Sequence, residues 1–216
     1  MATMTKVKAY HHPDLRQALL DGAMMLVKEE GLRNFSLRRL AAKLGVSHAA
    51  PYRHFENKEQ LLVTLMAEGH RRLRSLLLGA LERCKGNAAA KHLALGRAYL
   101  RFARQYPDYL QVMFARESVA AASARHARGE LHPQEDSDSF GVLTDHIRQC
   151  QAEGFLPAQA DVGALSLLAW AEVHGLAILC SEGMIAKMAE LGGRREGRTL
   201  DLIFALMKAR LEGRSG

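Results

Sequence analysis

Apolar positions recur along most of this chain at intervals of three and four, the period of a helix rather than the alternation of a strand. Leu15, Leu19, Ala23 and Leu26 form the first stripe, which predicts a helix opening at Pro13 or Asp14, running to about Glu30 and ended by Gly31. Leu37, Leu40, Ala41 and Leu44 form a second, shorter stripe. Ser36 is placed to cap its free N–H groups, and Gly45 to stop it in left-handed backbone. Phe35, just before the cap, is predicted to pin that entry as a hydrophobic staple. Val46 plugs the turn, and Ser47 can cap a further short helix ending near Arg53. Phe55 is an aromatic among polar neighbours and needs a burial site.

Beyond Asn57, a predicted cap, the pattern continues as helices. Lys58 to about Cys84 is long, and Gly86 and Asn87 break it. Ala88 to Gln105 follows, then a short helix opened by Pro107 with Tyr109, Leu110, Met113 and Phe114. Glu117 to Gln134 lacks periodicity and predicts a mobile loop, although its alanines could extend a helix. Phe140, Leu143, Ile147 and Cys150 mark an amphipathic helix ending near Gly154. Asp161 to Cys180 is apolar almost all round, which predicts a buried helix. Gly163, Ala171 and Gly175 share one face of it at multiples of four, where another helix can approach closely. After a Gly192–Gly197 linker, Thr199 to Leu211 is the last amphipathic helix, with Leu202, Ile203, Leu206 and Met207.

Composition agrees with an all-α chain. The residues are 48% hydrophobic but only 6% aromatic, and five prolines interrupt them. The apolar set is mostly Leu, Ala and Met, which favour helix. The expected organisation is an N-terminal arm and helix-turn-helix domain over residues 1–57, and a larger helical domain over 58–216.

Charge changes how the first of these is read. Residues 1–83 carry 14 Lys and Arg against 8 Asp and Glu, and residues 84–216 carry 16 against 15, so all but one unit of the net charge of +7 sits in the first 83 residues, around the helix, glycine turn and helix. Helix, glycine turn and helix make an ordinary hairpin in many proteins. Here Arg38, Arg39, Lys43, His48, Tyr52, Arg53, His54 and Lys58 add donors and positive charge to it, as phosphate recognition requires. That is the pattern of a helix-turn-helix, whose second helix enters the major groove. Lys6 and Lys8 lie in an arm, Met1 to Tyr10, read as a disordered tail or as a segment touching DNA; His11 and His12 read as the entry to the first helix.

The stretch from Gly45 to Leu62, GVSHAAPYRHFENKEQLL, resembles the N-terminal signature of the TetR family of bacterial transcriptional repressors, through Gly45, Val46, Ser47, Tyr52, His54, Phe55 and Lys58. Pro51 departs from it, standing where the family often has a small or aliphatic residue. Proline fits only the first turn of a helix, so the recognition helix is expected to start near Ala49 or Ala50 or to be distorted. The resemblance implies that Ser47, Tyr52, His54 and Lys58 contact phosphates and that His48, Ala49 and Pro51 face base edges. Ser36 and Arg38 are further candidates on the same unit.

Trp170, His174 and Gly175 are similar to a Trp-x-x-x-His-Gly signature of one C-terminal class of that family. In relatives, the last helices of two subunits form a dimer interface and the C-terminal half encloses a small-molecule pocket. By that resemblance Gly163, Ala171, Gly175, Leu202 and Leu206 are candidates for a homodimer interface, and Phe102, Met113, Trp170 and His174 for a pocket that takes a small apolar ligand. Trp170 and His174, one turn apart, serve equally as an internal contact or an interface hydrogen bond. The implied function is a ligand-responsive repressor released from a palindromic operator.

Two other classes remain to be weighed. A helical DNA-binding protein without a ligand would have a fully packed core. An enzyme would need a nucleophile–base spacing, a glycine-rich phosphate loop or a paired-His metal motif, and the chain carries none of these. Cys84, Cys150 and Cys180 form no C-x-x-C pair, so neither a disulfide framework nor a zinc site is indicated, and no metal or cofactor is expected. The apolar 161–180 stretch is interrupted by Glu172 and His174, and no signal core opens the chain; a cytoplasmic protein is expected.

Overall fold

The computed structural model describes residues 14–128 and 138–213, and all regular structure among them is helical. The elements are α1 (Leu15–Glu30), α2 (Leu37–Lys43), α3 (Lys58–Arg83), α4 (Ala88–Gln105), α5 (Pro107–Phe114), α6 (Arg116–Ala127), α7 (Ser139–Ala152), α8 (Val162–Ser181), α9 (Met184–Leu191) and α10 (Glu196–Glu212). Single 3₁₀ turns occupy Leu32–Asn34 and Pro51–Arg53. The expected arm, His11, His12 and the acidic Glu135 and Asp136 lie outside the described residues.

The described residues divide into two compact units, 14–69 with 108–128, and 70–107 with 138–213. The expected boundary at 57/58 is thus replaced by a seam inside the continuous helix α3 and a second at the start of α5. Packing explains why α5 joins the first unit. Gly69 of α3 lies so close to Met113 of α5 that a Cβ would stand 2.6 Å from its Sδ, and a larger residue there would make the methionine side chain shift.

The first unit has one core. Leu19, Ala23 and Leu26 of α1 meet Leu37 and Leu40 of α2, Phe35 and Phe55 from the turns, Leu61, Leu62 and Leu65 of α3, and Val112 of α5. Local signals set the ends of its helices. Asp14 caps α1 by accepting from Gln17 N–H at 3.0 Å, and Ser36 caps α2 by accepting from Arg39 N–H at 3.2 Å. Each such cap contributes about 1 kcal/mol.

In the second unit α4 packs against α7, α8 and α10, and α9 packs against α8 and α10. Leu95, Tyr99, Leu100 and Phe102 of α4 are buried there. The structure adds to or departs from the expectations at three places. Arg116–Ala127 is helix α6, so the alanines of the 117–134 stretch do extend a helix in place of the mobile loop expected there. Met184–Leu191 is a helix not anticipated from the sequence, held by Ile185 and Ala189 one turn apart on its inward side. Most significantly, α8 is not a buried helix. Only Ser166 and Ala177 are buried, whereas Leu167, Leu168 and Leu179 are 54, 55 and 42% exposed. An all-round apolar helix has two contact surfaces, and the second faces away from the chain.

Candidate nucleic-acid interface

The turn after α2 is built from three consecutive residues. Gly45 adopts φ +65°, which lets its N–H bond the carbonyl of Ala42 at 3.2 Å and Val46 N–H bond that of Ala41 at 3.0 Å. This double closure is the glycine-terminated helix end anticipated from the sequence. It releases the chain toward Ser47.

The segment that follows departs from a regular helix, and Pro51 is the cause. Proline carries no N–H with which to bond the Ser47 carbonyl. That carbonyl instead accepts from Ala50 at 3.0 Å, three residues on, and Arg53 and His54 repeat the tight spacing to Ala50 and Pro51. The expected short α-helix is therefore a turn over residues 48–50 followed by one 3₁₀ turn, Pro51–Arg53. Pro51 itself is fully buried, so it presents no atom to a base edge, contrary to expectation. Its ring instead anchors the turn from beneath.

Anchoring Pro51 inward turns its neighbours out. Ser47, His48, Ala49, Tyr52, Arg53 and His54 are all exposed, Tyr52 by 55%. Below this face Phe55 is buried, with the Arg16 guanidinium 5.4 Å from its ring centroid. Arg38 on α2 is also exposed, whereas Arg39 is tied to Glu30 at 2.5 Å and to the Asn34 carbonyl at 3.4 Å. Lys43 pairs with Glu29. Sequence spacing does not reveal which arginine is committed; that depends on the partner α1 supplies.

Two further candidates have structural duties. Ser36 uses its hydroxyl oxygen to cap α2. Lys58 points its ammonium at the Leu32 carbonyl, 3.0 Å away, over the Phe35 ring, and so ties the start of α3 to the α1–α2 connection. An ammonium has three donors, so this leaves two.

The pocket candidates in the C-terminal part of the chain divide between the two units: Met113 is buried in the first, and Phe102, Trp170 and His174 belong to the second. Trp170 and His174 converge on Tyr99 of α4, a residue not singled out from the sequence. Tyr99 Oη lies 2.7 Å from His174 Nδ1 and accepts from Trp170 Nε1–H at 3.3 Å. Burial raises the Tyr99 pKa to about 12 and lowers that of His174, so both are neutral. Phe140 stacks edge-on against Trp170, with centroids 6.4 Å apart. Of the interface candidates, Gly163, Ala171 and Gly175 are exposed on α8, and Leu202 and Leu206 on α10 are 39 and 71% exposed. Arg210 of α10 pairs with Glu172 of α8. The helix α8 is long and apolar enough to cross a membrane by length and composition alone, with mean hydropathy 1.7. Its Trp170 and His174, however, are bonded to α4 and its Glu172 to α10 of the same unit.

A glycine-ended helix, an outward polar turn and uncommitted cations on one small helical unit define a helix-turn-helix DNA-binding regulator. Residues 19–65 match the bacterial regulatory proteins of the tetR family, and residues 92–208, more than half of the chain, match the tetracyclin repressor-like C-terminal domain. The chain belongs to the TetR family: it is a DNA-binding transcription regulator and not an enzyme. It is 24% identical over 205 residues to an uncharacterized HTH-type transcriptional regulator of Haemophilus influenzae, covering 89% of this chain and 98% of that one. Among solved structures, a Rhodococcus sp. RHA1 protein of unknown function is 30% identical, with a TM-score of 0.67 over 92% of this chain and 96% of that one. The fatty acid degradation regulator FadR from Bacillus halodurans shares the fold at 14% identity, with a TM-score of 0.64 over 91 and 96% of the two chains.

Proposed function

We propose that the protein is a homodimeric, ligand-responsive repressor that acts in the cytoplasm on a palindromic operator and leaves it when a small molecule binds. The observation that carries this reading is the outward apolar face of the C-terminal unit: Leu168, Ala171, Gly175 and Leu179 along α8, with Leu202 and Leu206 on α10. Apolar stripes of this length rarely stay in water. Two copies of one face close about a twofold axis, and Gly163, Ala171 and Gly175 let the helices approach.

A twofold dimer carries two recognition turns, which read half-sites about one helical turn apart. In each, Ser47, Tyr52 and His54, with Arg38 and Lys58, supply phosphate contacts, and Ser36 holds the helix that presents them. His48 is the hydrogen-bonding reader and Ala49 offers only apolar contact, so base readout is sparse and DNA shape carries part of the specificity. A ligand bound in the C-terminal unit releases the operator by favouring a half-site spacing that DNA does not offer.

Sedimentation equilibrium on the wild type and Leu206→Glu tests the carrying observation. A wild-type dimer and a dissociated variant support it; a wild-type monomer overturns it.

A further inference from the structure

The C-terminal unit contains a polar cluster that neither the Tyr99 network nor the α8 and α10 faces use. His146 of α7 is buried, with its Nε2 3.4 Å from Cys150 Sγ and its ring stacked on His92 at 5.6 Å between centroids. The Nδ1 atoms of His146 and His92 are both buried without a hydrogen-bond partner. Burial, reinforced by His92 and Lys91, pulls the His146 pKa down to about 4, so the ring is neutral near pH 7. Buried polar atoms are almost always paired, and these two nitrogens, on stacked rings, are not.

His146 also lines a groove of about 390 Å³ between the second half of α3 and α7, a volume suited to a small molecule. Its apolar wall is Leu78, Leu81 and Val142. Most of its polar groups are already engaged. Asp138 accepts from Gly141 N–H at 2.7 Å, Asp145 pairs with Arg148 at 2.6 Å, and Gln149 donates to Glu153 at 2.7 Å. Arg74 reaches the same groove from α3 with no ion-pair partner among the described residues.

We propose that this groove is the effector site and takes a small carboxylic acid with an apolar body. The Arg74 guanidinium receives the carboxylate, His146 adds a neutral hydrogen bond, and Leu78, Leu81 and Val142 enclose the body. A planar guanidinium matches a carboxylate through two parallel hydrogen bonds. An amine would face the Arg74 charge, with Asp145 already paired to Arg148, and a neutral amide would leave the Arg74 charge without a partner in the ligand. The proposal rests on the ligand-responsive reading above and names the chemistry of its ligand.

The test uses the full chain with butyrate, hexanoate, octanoate and phenylacetate, each beside its primary amide and corresponding amine. Titration calorimetry reads binding, and a gel shift on operator duplex reads release. At least one carboxylate is expected to bind while its amide and amine do not. Arg74→Gln should weaken that binding by about tenfold or more, with Arg74→Lys falling between the two, and the melting temperature without ligand serves as the folding control. No binding by any of the four carboxylates, equal binding by an amide or amine, or unchanged binding in Arg74→Gln overturns the proposal. A carboxylate that binds through Arg74 yet leaves the operator complex intact supports the site and removes the ligand-responsive reading. Release by a compound whose binding Arg74→Gln does not alter keeps that reading and overturns the site.

Discussion

The phenolic oxygen of Tyr99 lies 2.7 Å from Nδ1 of His174 and takes a second hydrogen bond from Trp170 Nε1–H, so one residue of α4 bonds to both members of the Trp–His pair. This ties α8 to α4 through a relay in which Trp170 donates to the Tyr99 oxygen and that oxygen shares a second hydrogen bond with His174. Tyr99→Phe keeps the ring and removes the relay. It should lower stability by about 1–3 kcal/mol, since two partners lose their hydrogen bond at once. Trp170 is the only tryptophan of the chain, so its emission reports the same spot. Thermal melting and fluorescence that both match the wild type would contradict the relay.

Tyr52 stands out from the recognition turn with 55% of its surface exposed, although an aromatic ring gains from burial. Its place on the outward face suits a contact with phosphate and a thymine methyl. Tyr52→Ala should weaken operator binding by about 1–3 kcal/mol and leave the dimer intact, as read by gel shift and sedimentation. Full operator affinity in the variant would remove Tyr52 from the interface.

Adjacent arginines should behave differently. Arg38 is exposed and Arg39 is held by Glu30. Arg38→Ala is expected to weaken binding across all sequences and reduce the slope of log affinity against log salt by about one. Arg39→Ala should leave that slope near the wild-type value. Titrations at several salt concentrations separate them, and equal slopes for the two variants would contradict the assignment.

The buried histidines make the fold acid-sensitive. Burial lowers the pKa of His146 from 6.5 to about 4, and it also lowers those of His92 and His70. An unfolded chain takes up these protons near pH 6.5, whereas the folded one resists. The stability present above pH 6.5 is therefore lost progressively as the pH falls toward 4. Melting temperatures followed over that range should drop, and His146→Phe should drop less steeply. Parallel curves for the two proteins would show that His146 carries none of this effect.

The helical class and the reading head were legible because their signals are local. Ser36, Gly45 and Asn57 act on neighbours within a few residues, and the apolar stripes of α1 and α2 name their own inward faces. Pro51 stands out in the sequence as a departure, but that its ring is buried and its segment reduced to a 3₁₀ turn depends on the floor beneath it. Periodicity also cannot say which of two apolar faces turns inward. For this reason α8 reads as buried, and periodicity alone does not separate the outer Leu202 and Leu206, candidates only through the family resemblance, from Leu200 and Phe204, which fill the inner side of α10. The partner of His174 lies 75 positions away, and no pattern within α8 points to Tyr99. The helix α9 carries little pattern of its own, because only Ile185 and Ala189 are buried over two short turns.

The central claim is that two copies of this chain read one palindromic site through the turn after Gly45. In vitro selection from random duplex, followed by the mass of the selected complex, tests it most directly. The account predicts a selected sequence with two inverted half-sites about 10 base pairs apart, an even number of chains per duplex, and loss of selection by Tyr52→Ala. Selection of a single unrepeated half-site by one chain, or no enrichment by the wild type, would contradict it.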